Sequence, residues 1–158
     1  MKKVILFSTC IFFLLQVSAQ TKITKSSVVG KWNIYSIEMP GIVYYNVDKD
    51  SLEMGETMKA QIKDEQQTAT VKNMFKQQMA IFIKTVFVFN ADGTAELQNG
   101  MEPPEKDTYS VDEDNSTIVT TGENKQKEAR KAEMLGDKLS IRSTQPQGEI
   151  IMVLKKMK

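Results

Sequence analysis

The side chains best placed to do chemistry are the oxygen-bearing residues of an acidic run, Asp112 to Ser116, with Glu123 further along the chain. Their oxygens recur at alternate positions, as in a calcium-binding loop. Such a loop needs glycine at its sixth position, where this chain has Thr117 inside a β-prone run. The sequence therefore predicts a solvated turn here, with a weak adventitious cation site as the alternative, and the pair Asp48 and Asp50 fails in the same way.

Other catalytic and metal-ligating chemistry is excluded by residue type. The chain contains no histidine, and its single cysteine is Cys10. Imidazole bases therefore require a residue that the chain lacks, and thiol nucleophiles and zinc or copper sites built on these ligands require residues that are missing after Ala19, where we expect a leader to be cleaved. The remaining acid–base groups are Asp, Glu, Lys and Tyr, and no spacing singles out a reactive pair. We expect no enzyme, no cofactor and no metal centre.

The first 19 residues have the pattern of a secretory leader. Lys2 and Lys3 precede an apolar run over residues 4–15, and small residues follow up to Ala19. We expect cleavage after about Ala19 and export to the periplasm or the extracellular space. The apolar run is too short to cross a bilayer, and no second one follows, so we expect no membrane span. Because Cys10 lies inside the run, a lipid-modified cysteine is not predicted.

The remaining residues 20–158 fit one domain of ordinary size. Without Lys2 and Lys3 the formal net charge changes from +1 to −1, which gives no bias towards nucleic acid or anionic membranes. The mixed-charge run over residues 123–131 balances acids against bases and contains no aromatic residue. We interpret this run as a solvated strand face or loop, and we expect no nucleic-acid partner.

Apolar residues recur mostly with a period of two, which predicts strands. On the first strand, this alternation places Trp32 and Ile34 on one face and Tyr35 and Ile37 on the other. The exception is residues 64–82, where Val71, Met74, Phe75, Met79 and Phe82 follow helical spacing and predict one amphipathic helix. Residues 42–47 allow a short strand extension, and residues 52–62 allow a preceding helical turn. Eight strands are predicted, over residues 31–38, 84–90, 94–98, 107–111, 116–121, 127–135, 138–143 and 149–155. Short strands with tight turns favour an all-β barrel or sandwich.

Three segments resemble the small bacterial lipocalin-like domains of calycin type: residues 29–34, residues 87–94 and residues 107–111. The resemblance implies an eight-stranded antiparallel up-and-down barrel. It also implies that Trp32 closes one end, that Gly30 lets the chain cross close beneath it, and that Lys155 or Lys156 lies over the indole. This chain departs from the family in its long helical insertion between strands 1 and 2, which either caps the barrel mouth or packs on the wall.

Two functions are compatible with such a barrel. The first is a binding protein whose interior holds a small hydrophobic ligand. The second is a protein-interaction module with a filled barrel, which presents residues 39–84 to another exported protein. The candidate lining residues are apolar side chains of the predicted strands and helix, namely Ile34, Met74, Phe75, Met79, Phe87, Phe89, Tyr109 and Ile141.

Overall fold

The structure is a computed structural model that describes residues 22–100, 103–122, 124–146 and 148–158. The expected leader and its cleavage position lie outside the described residues. The helices are α1 (Lys25–Val28), α2 (Glu56–Lys59) and α3 (Glu65–Phe82). The strands are β1 (Gly30–Met39), β2 (Val43–Asn46), β3 (Ser51–Met54), β4 (Val86–Phe89), β5 (Thr94–Gln98), β6 (Glu105–Asp112), β7 (Thr117–Thr121), β8 (Lys127–Leu135), β9 (Lys138–Gln145) and β10 (Gly148–Lys156).

Eight of the strands in the described residues form a closed antiparallel ring. Strands β4 to β10 pair in chain order, and β1 joins both ends by pairing with β4 and with β10. The seam to β10 runs from Trp32 opposite Lys156 to Glu38 opposite Ile151. Closure leaves the eight strands without an unpaired edge. The predicted eight-stranded antiparallel barrel with a helical insertion between its first two strands is therefore confirmed.

Tight turns fix the register of neighbouring strands. Between β4 and β5, the amide of Gly93 donates to the carbonyl of Asn90 at 3.1 Å, and Gly93 has a φ of +92°. Glycine reaches this conformation without the steric cost of a Cβ atom. The turn places Phe89 opposite Ala95, so that both side chains point into the barrel.

Strand β1 contains an irregularity that strict alternation did not predict. The pairing with β10 shifts between Ile34 and Ser36, which leaves Tyr35 as a bulged residue. Because the bulge reverses the alternation, Ile37 joins Trp32 and Ile34 in the same buried cluster. The expectation that Ile37 lies on the opposite face from Trp32 and Ile34 is therefore wrong.

The insertion between β1 and β4 contains more β-structure than the sequence indicated. The predicted extension at residues 42–47 forms β2, which pairs with the second half of β1 and with β3. Residues 52–54 belong to β3, so the helical turn expected over residues 52–62 is confined to α2. The reason is the pairing itself, since Val43 opposite Met54 and Tyr45 opposite Leu52 bury four side chains together. Helix α3 matches the predicted helix closely.

The buried side chains form two clusters. The larger cluster fills the barrel around Trp32, Leu139 and Leu154, each of which is fully buried. The smaller cluster lies between the β2–β3 hairpin and α3, and it contains Val43, Tyr45, Leu52 and Met54. Helix α3 itself has no buried residue. The helix therefore packs on an extension of the barrel wall.

Candidate functional site

One end of the barrel is closed by α1 and by Trp32. The side chain of Trp32 is fully buried, and its indole Nε1 donates a hydrogen bond of 2.8 Å to the carbonyl of Val28 at the end of α1. The ammonium of Lys156 lies 5.2 Å from the centre of the indole, which is the distance of a cation–π contact. Lys155 pairs instead with Asp48 at 2.8 Å.

Gly30 has a backbone conformation that a larger residue could not adopt without strain. Its φ is +141°, and a Cβ atom at this position would lie 2.6 Å from Cε of Lys156. The absence of a side chain therefore gives the lysine room to cover Trp32. The group that approaches Gly30 closely is therefore the side chain of Lys156 on β10.

Most of the candidate lining residues belong to the packed core of this closed half. Ile34, Phe89, Tyr109 and Ile141 are between 2% and 6% exposed and share one cluster, with Phe87 partly buried against it. The rings of Phe89 and Tyr109 meet edge to face at 5.0 Å. These side chains make a filled floor, because they are in contact with one another.

The hydroxyl of Tyr109 is satisfied inside this core. It donates to the carbonyl of Asn90 at 2.9 Å. Burial raises the pKa of Tyr109, and the negative charge of Asp92 raises it further. Tyr109 is therefore held neutral, as a buried hydrogen-bond donor should be.

The helix residues divide between two environments. Phe75 and Met79 pack against the smaller cluster, and Met79 also contacts the barrel core. Met74 is 54% exposed and belongs to neither cluster, which places it outside the packed interior. The expected lining role of Met74 conflicts with this position, because the helix turns Met74 away from the hairpin on which it packs.

A small polar network fastens α3 to the hairpin. The carboxylate of Asp50 accepts a hydrogen bond of 2.8 Å from the hydroxyl of Tyr45 and pairs with the ammonium of Lys76 at 2.9 Å. Lys76 also donates to the Asp50 carbonyl at 2.9 Å. The hydrogen bond from Lys76, followed by that from Tyr45, lowers the pKa of Asp50. Through Lys76, helix α3 is thus joined to Asp50 in the turn after β2, and through Asp50 to Tyr45 on β2.

A cavity lies in the other half of the barrel, towards its open end. It has a volume of about 730 Å³ and lies among strands β4 to β8. None of the α3 residues contributes to its wall, so the helix does not cap it. Its lining is Val88, Phe89, Ala95, Glu96, Leu97, Pro103, Pro104, Lys106, Asp107, Thr120, Gly122, Asn124, Gln126, Glu128 and Arg130.

The wall of this cavity changes from apolar to polar along the strands. Strand β8 shows the change most clearly, because Arg130 lies two residues before Ala132 and therefore on the same inner face. Glu128 lies two residues before Arg130 and lines the cavity with it. The inner face is thus apolar at the closed end and charged at the open end.

Arg130 is the centre of the polar wall. Its guanidinium forms an ion pair with the carboxylate of Glu128 and lies 3.5 Å from the hydroxyl of Thr120 on the neighbouring strand. The Arg130 side chain is about one third exposed. Since guanidinium carries five donors, these contacts leave donors available to a ligand. Glu96 and Asp107 add two further carboxylates to the lining.

Sequence reasoning missed this polar wall. Residues 124–129 are exposed, as the interpretation of residues 123–131 as a solvated strand face or loop predicts, but that interpretation did not indicate that Glu128 and Arg130 line a cavity. The period of two along β8 could have shown that Glu128 and Arg130 face inwards, since they share a face with the apolar residues Ala132 and Met134. Because both side chains are charged and at least partly exposed, the sequence alone did not place them on the inner face of the barrel.

The acidic run forms the turn that the sequence predicts. The carboxylate of Asp112 accepts hydrogen bonds from the backbone amide of Asn115 at 3.0 Å and from its side-chain amide at 2.8 Å. These bonds lower the pKa of Asp112. The carboxylate therefore caps the turn between β6 and β7.

The fold defines this chain as a closed antiparallel β-barrel, with a cavity of about 730 Å³ at its open half. A solved structure of a DUF4847 family protein from Bacteroides vulgatus ATCC 8482 is similar to it with a TM-score of 0.47 and 15% sequence identity, over 82% of this chain and 94% of that one. No family model and no curated protein matches the sequence. Within the described residues, no helix is long and apolar enough to span a membrane.

Proposed function

We propose that the protein is an exported, lipocalin-like binding protein that holds a small molecule in the open half of the barrel. The observation that carries the proposal is the cavity of about 730 Å³, a size within the range of small-molecule sites. Convergent polar groups on an apolar floor are the usual composition of such sites. The leader pattern at residues 1–19 supports the exported role.

The chemistry of the wall favours an amphiphilic ligand over a wholly hydrophobic one. Phe89, Ala95 and Leu97 offer an apolar surface at the floor and on one side. Glu128 and Arg130 offer charged groups on the other side. A ligand without polar groups would desolvate this ion pair without replacing its contacts with water, which costs binding free energy. The cavity therefore suits a molecule with both an apolar and a polar part.

The proposal is tested by titration with 8-anilinonaphthalene-1-sulfonate, an amphiphilic probe whose fluorescence rises in apolar sites. Two neighbouring residues of β7 provide a matched pair of variants, because Thr120 lines the cavity and Thr121 points to the other face. We expect Thr120→Tyr to fill the cavity and weaken probe binding by about tenfold. Thr121→Tyr should leave the dissociation constant within about twofold.

Two results would contradict the proposal. One is the absence of saturable probe binding to the unaltered protein. The other is an equal effect of both tyrosine variants, since this would place the probe outside the cavity. Melting temperatures of the two variants control for loss of folding. Native mass spectrometry of protein purified from its own host would then weigh any molecule that occupies the site.

A second candidate function is the interaction module, and one observation favours it. On α3, Met74 and Ile81 lie seven residues apart and are each 54% exposed, so they share one apolar face. An exported protein partner would bury this face. If so, Met74→Asp together with Ile81→Asp would abolish capture of that partner from the host's exported proteins and leave probe binding unchanged. Capture that survives both substitutions would reject this candidate.

A further inference from the structure

The outer wall of the barrel places two cations directly opposite each other. Lys131 on β8 pairs in register with Arg142 on β9, and both side chains point away from the barrel core. Like charges at directly opposed positions destabilise an antiparallel pair. An anion that contacts both side chains would relieve this repulsion.

These cations line a surface cavity of about 320 Å³, which we call the outer groove. A third cation, Lys22, comes from the segment before α1. The outer groove is lined by Lys22, Ser116, Lys131, Ala132, Glu133, Ser140 and Arg142. Three cations and a single carboxylate thus share this lining.

The present partners of Lys131 and Arg142 leave donors unused. The ammonium of Lys131 donates to the backbone carbonyl of Asn115 at 2.8 Å, which carries no net charge. Arg142 donates from Nη2 to Glu133 at 3.3 Å, and its Nη1 lies 4.0 Å from the Glu149 carboxylate. Lysine has three donors and arginine has five. Both cations can therefore bind a further acceptor.

The other charged side chains around the outer groove are mostly exposed to solvent. Lys22 pairs with Asp114 at 3.0 Å, but the Asp114 side chain is 95% exposed. Such exposed pairs hold their partners weakly. The carboxylate of Asp112, which also feels the charge of Lys131, is bound by Asn115 and does not line the outer groove.

A buried hydroxyl completes the lining. Ser140 is 1% exposed and lies opposite Glu133 in the register of β8 and β9. Serine on the outer face of a strand is ordinarily well exposed. Here Ser140 lines the outer groove, and a serine hydroxyl can donate to a bound group.

We propose that the outer groove binds a phosphate group, either as free inorganic phosphate or as a phosphomonoester. A doubly charged tetrahedral oxyanion has enough oxygens to accept hydrogen bonds from Arg142, Lys131 and Ser140 at once. Guanidinium binds phosphate through two parallel hydrogen bonds, and lysine binds it as a point charge. Bound phosphate would convert the repulsion between Lys131 and Arg142 into two attractions. This site is separate from the barrel cavity and does not depend on the proposed barrel ligand.

The test is calorimetric titration of the protein with inorganic phosphate at constant ionic strength, with chloride as the balancing anion. The variants are Lys131→Gln and Arg142→Gln. Lys127→Gln is the matched control, because Lys127 lies on the same outer face of β8 and outside the outer groove. We expect saturable binding, a loss of about tenfold or more in affinity for each groove variant, and a change within about twofold for the control.

A second readout needs no titration. Without phosphate, Lys131→Gln should raise the melting temperature, because it removes the opposed cation. With saturating phosphate, the unaltered protein should gain melting temperature and Lys131→Gln should gain little. This readout keeps the inference testable even if Arg142→Gln folds poorly.

Three outcomes would overturn the inference. The first is no saturable heat at millimolar phosphate, and the second is an equal loss in Lys127→Gln, which would mean an adventitious ion only. The third is a melting temperature of Lys131→Gln below that of the unaltered protein without phosphate. Tighter binding of glycerol 3-phosphate than of inorganic phosphate would support the site and assign it to a phosphomonoester. The reverse order would support it as a site for the free ion.

Discussion

Replacement of Trp32 by alanine tests how the closed end of the barrel is stabilised. The indole is fully buried, donates to the carbonyl of Val28 at 2.8 Å and lies beneath the ammonium of Lys156. Truncation therefore removes a large apolar side chain, one buried hydrogen bond and one cation–π contact. Each of the three losses lowers the free energy of unfolding.

The expected cost follows from these contacts. Truncation of a buried tryptophan to alanine costs about 3–5 kcal/mol through lost burial and the cavity that remains. The Val28 carbonyl loses its partner, which costs about 1–3 kcal/mol if no water replaces the indole. Contact with a cation contributes about 0.5–1 kcal/mol at an accessible site. We expect Trp32→Ala to lower the free energy of unfolding by about 5 kcal/mol, which is comparable to the whole stability of many domains.

Urea unfolding followed by far-ultraviolet circular dichroism measures this loss without the tryptophan signal. Trp32→Phe separates the contribution of the hydrogen bond from that of the buried ring, because it keeps an aromatic ring and removes the hydrogen bond to Val28. Its expected cost is about 1–3 kcal/mol. Trp32 is the only tryptophan in the chain, so the fluorescence of the unaltered protein reports on the closed end alone. A cost below about 1 kcal/mol for Trp32→Ala would refute the reasoning, since a core truncation cannot be that mild.

Three further outcomes are expected. Phe89→Ala should cost about 3–5 kcal/mol in urea unfolding, because Phe89 is buried against Tyr109, and a cost near zero would contradict the packed floor. Since the folded pKa of Asp50 is lowered from 3.8, its contribution should be complete above pH 3.8 and disappear as the pH falls through the lower folded value. Limited proteolysis of α3 should show this acid sensitivity, and Lys76→Met should reduce it; an unchanged pH profile would count against the network. Lys72→Ala should change the free energy of unfolding by no more than about 0.5 kcal/mol, and a larger loss would mean that Lys72 has a structural role.

The order of the barrel strands could be read from the sequence because each strand carries its own alternation and its own turn. Gly93 and Gly136 mark hairpins, and the strands on either side pair as expected. Closure between β1 and β10 could be inferred only from the family resemblance, because no local pattern connects residues so far apart. Local patterns thus determine the strands, and long-range burial determines the ring.

Two features of the fold could not be predicted from the sequence. The bulge at Tyr35 inserts one residue, and such an insertion leaves no mark in an alternating pattern until the pairing is known. The short strands β2 and β3 have few residues each, so tertiary pairing decides between strand and helix.

The candidate site was harder to predict than the fold. Apolar residues such as Ile141 were expected to line a cavity, yet in a small barrel they fill the closed half. Glu128 and Arg130 look like ordinary surface charges in sequence, and only the closed ring shows that they face inwards. A site built from inner-face charges is therefore visible only after the strand register is known.

The pairing of the first strand with the last also constrains when the chain can fold. Trp32 finds its partner Lys156 only after nearly all of the intervening chain has been made. Contacts between residues so distant in sequence slow folding, because the connecting loop must close before any of them form. A growing chain therefore has no complete ring to form until its final strand leaves the ribosome. A barrel closed by its first and last strands therefore completes its ring in a late step of folding, after the strands between them have paired.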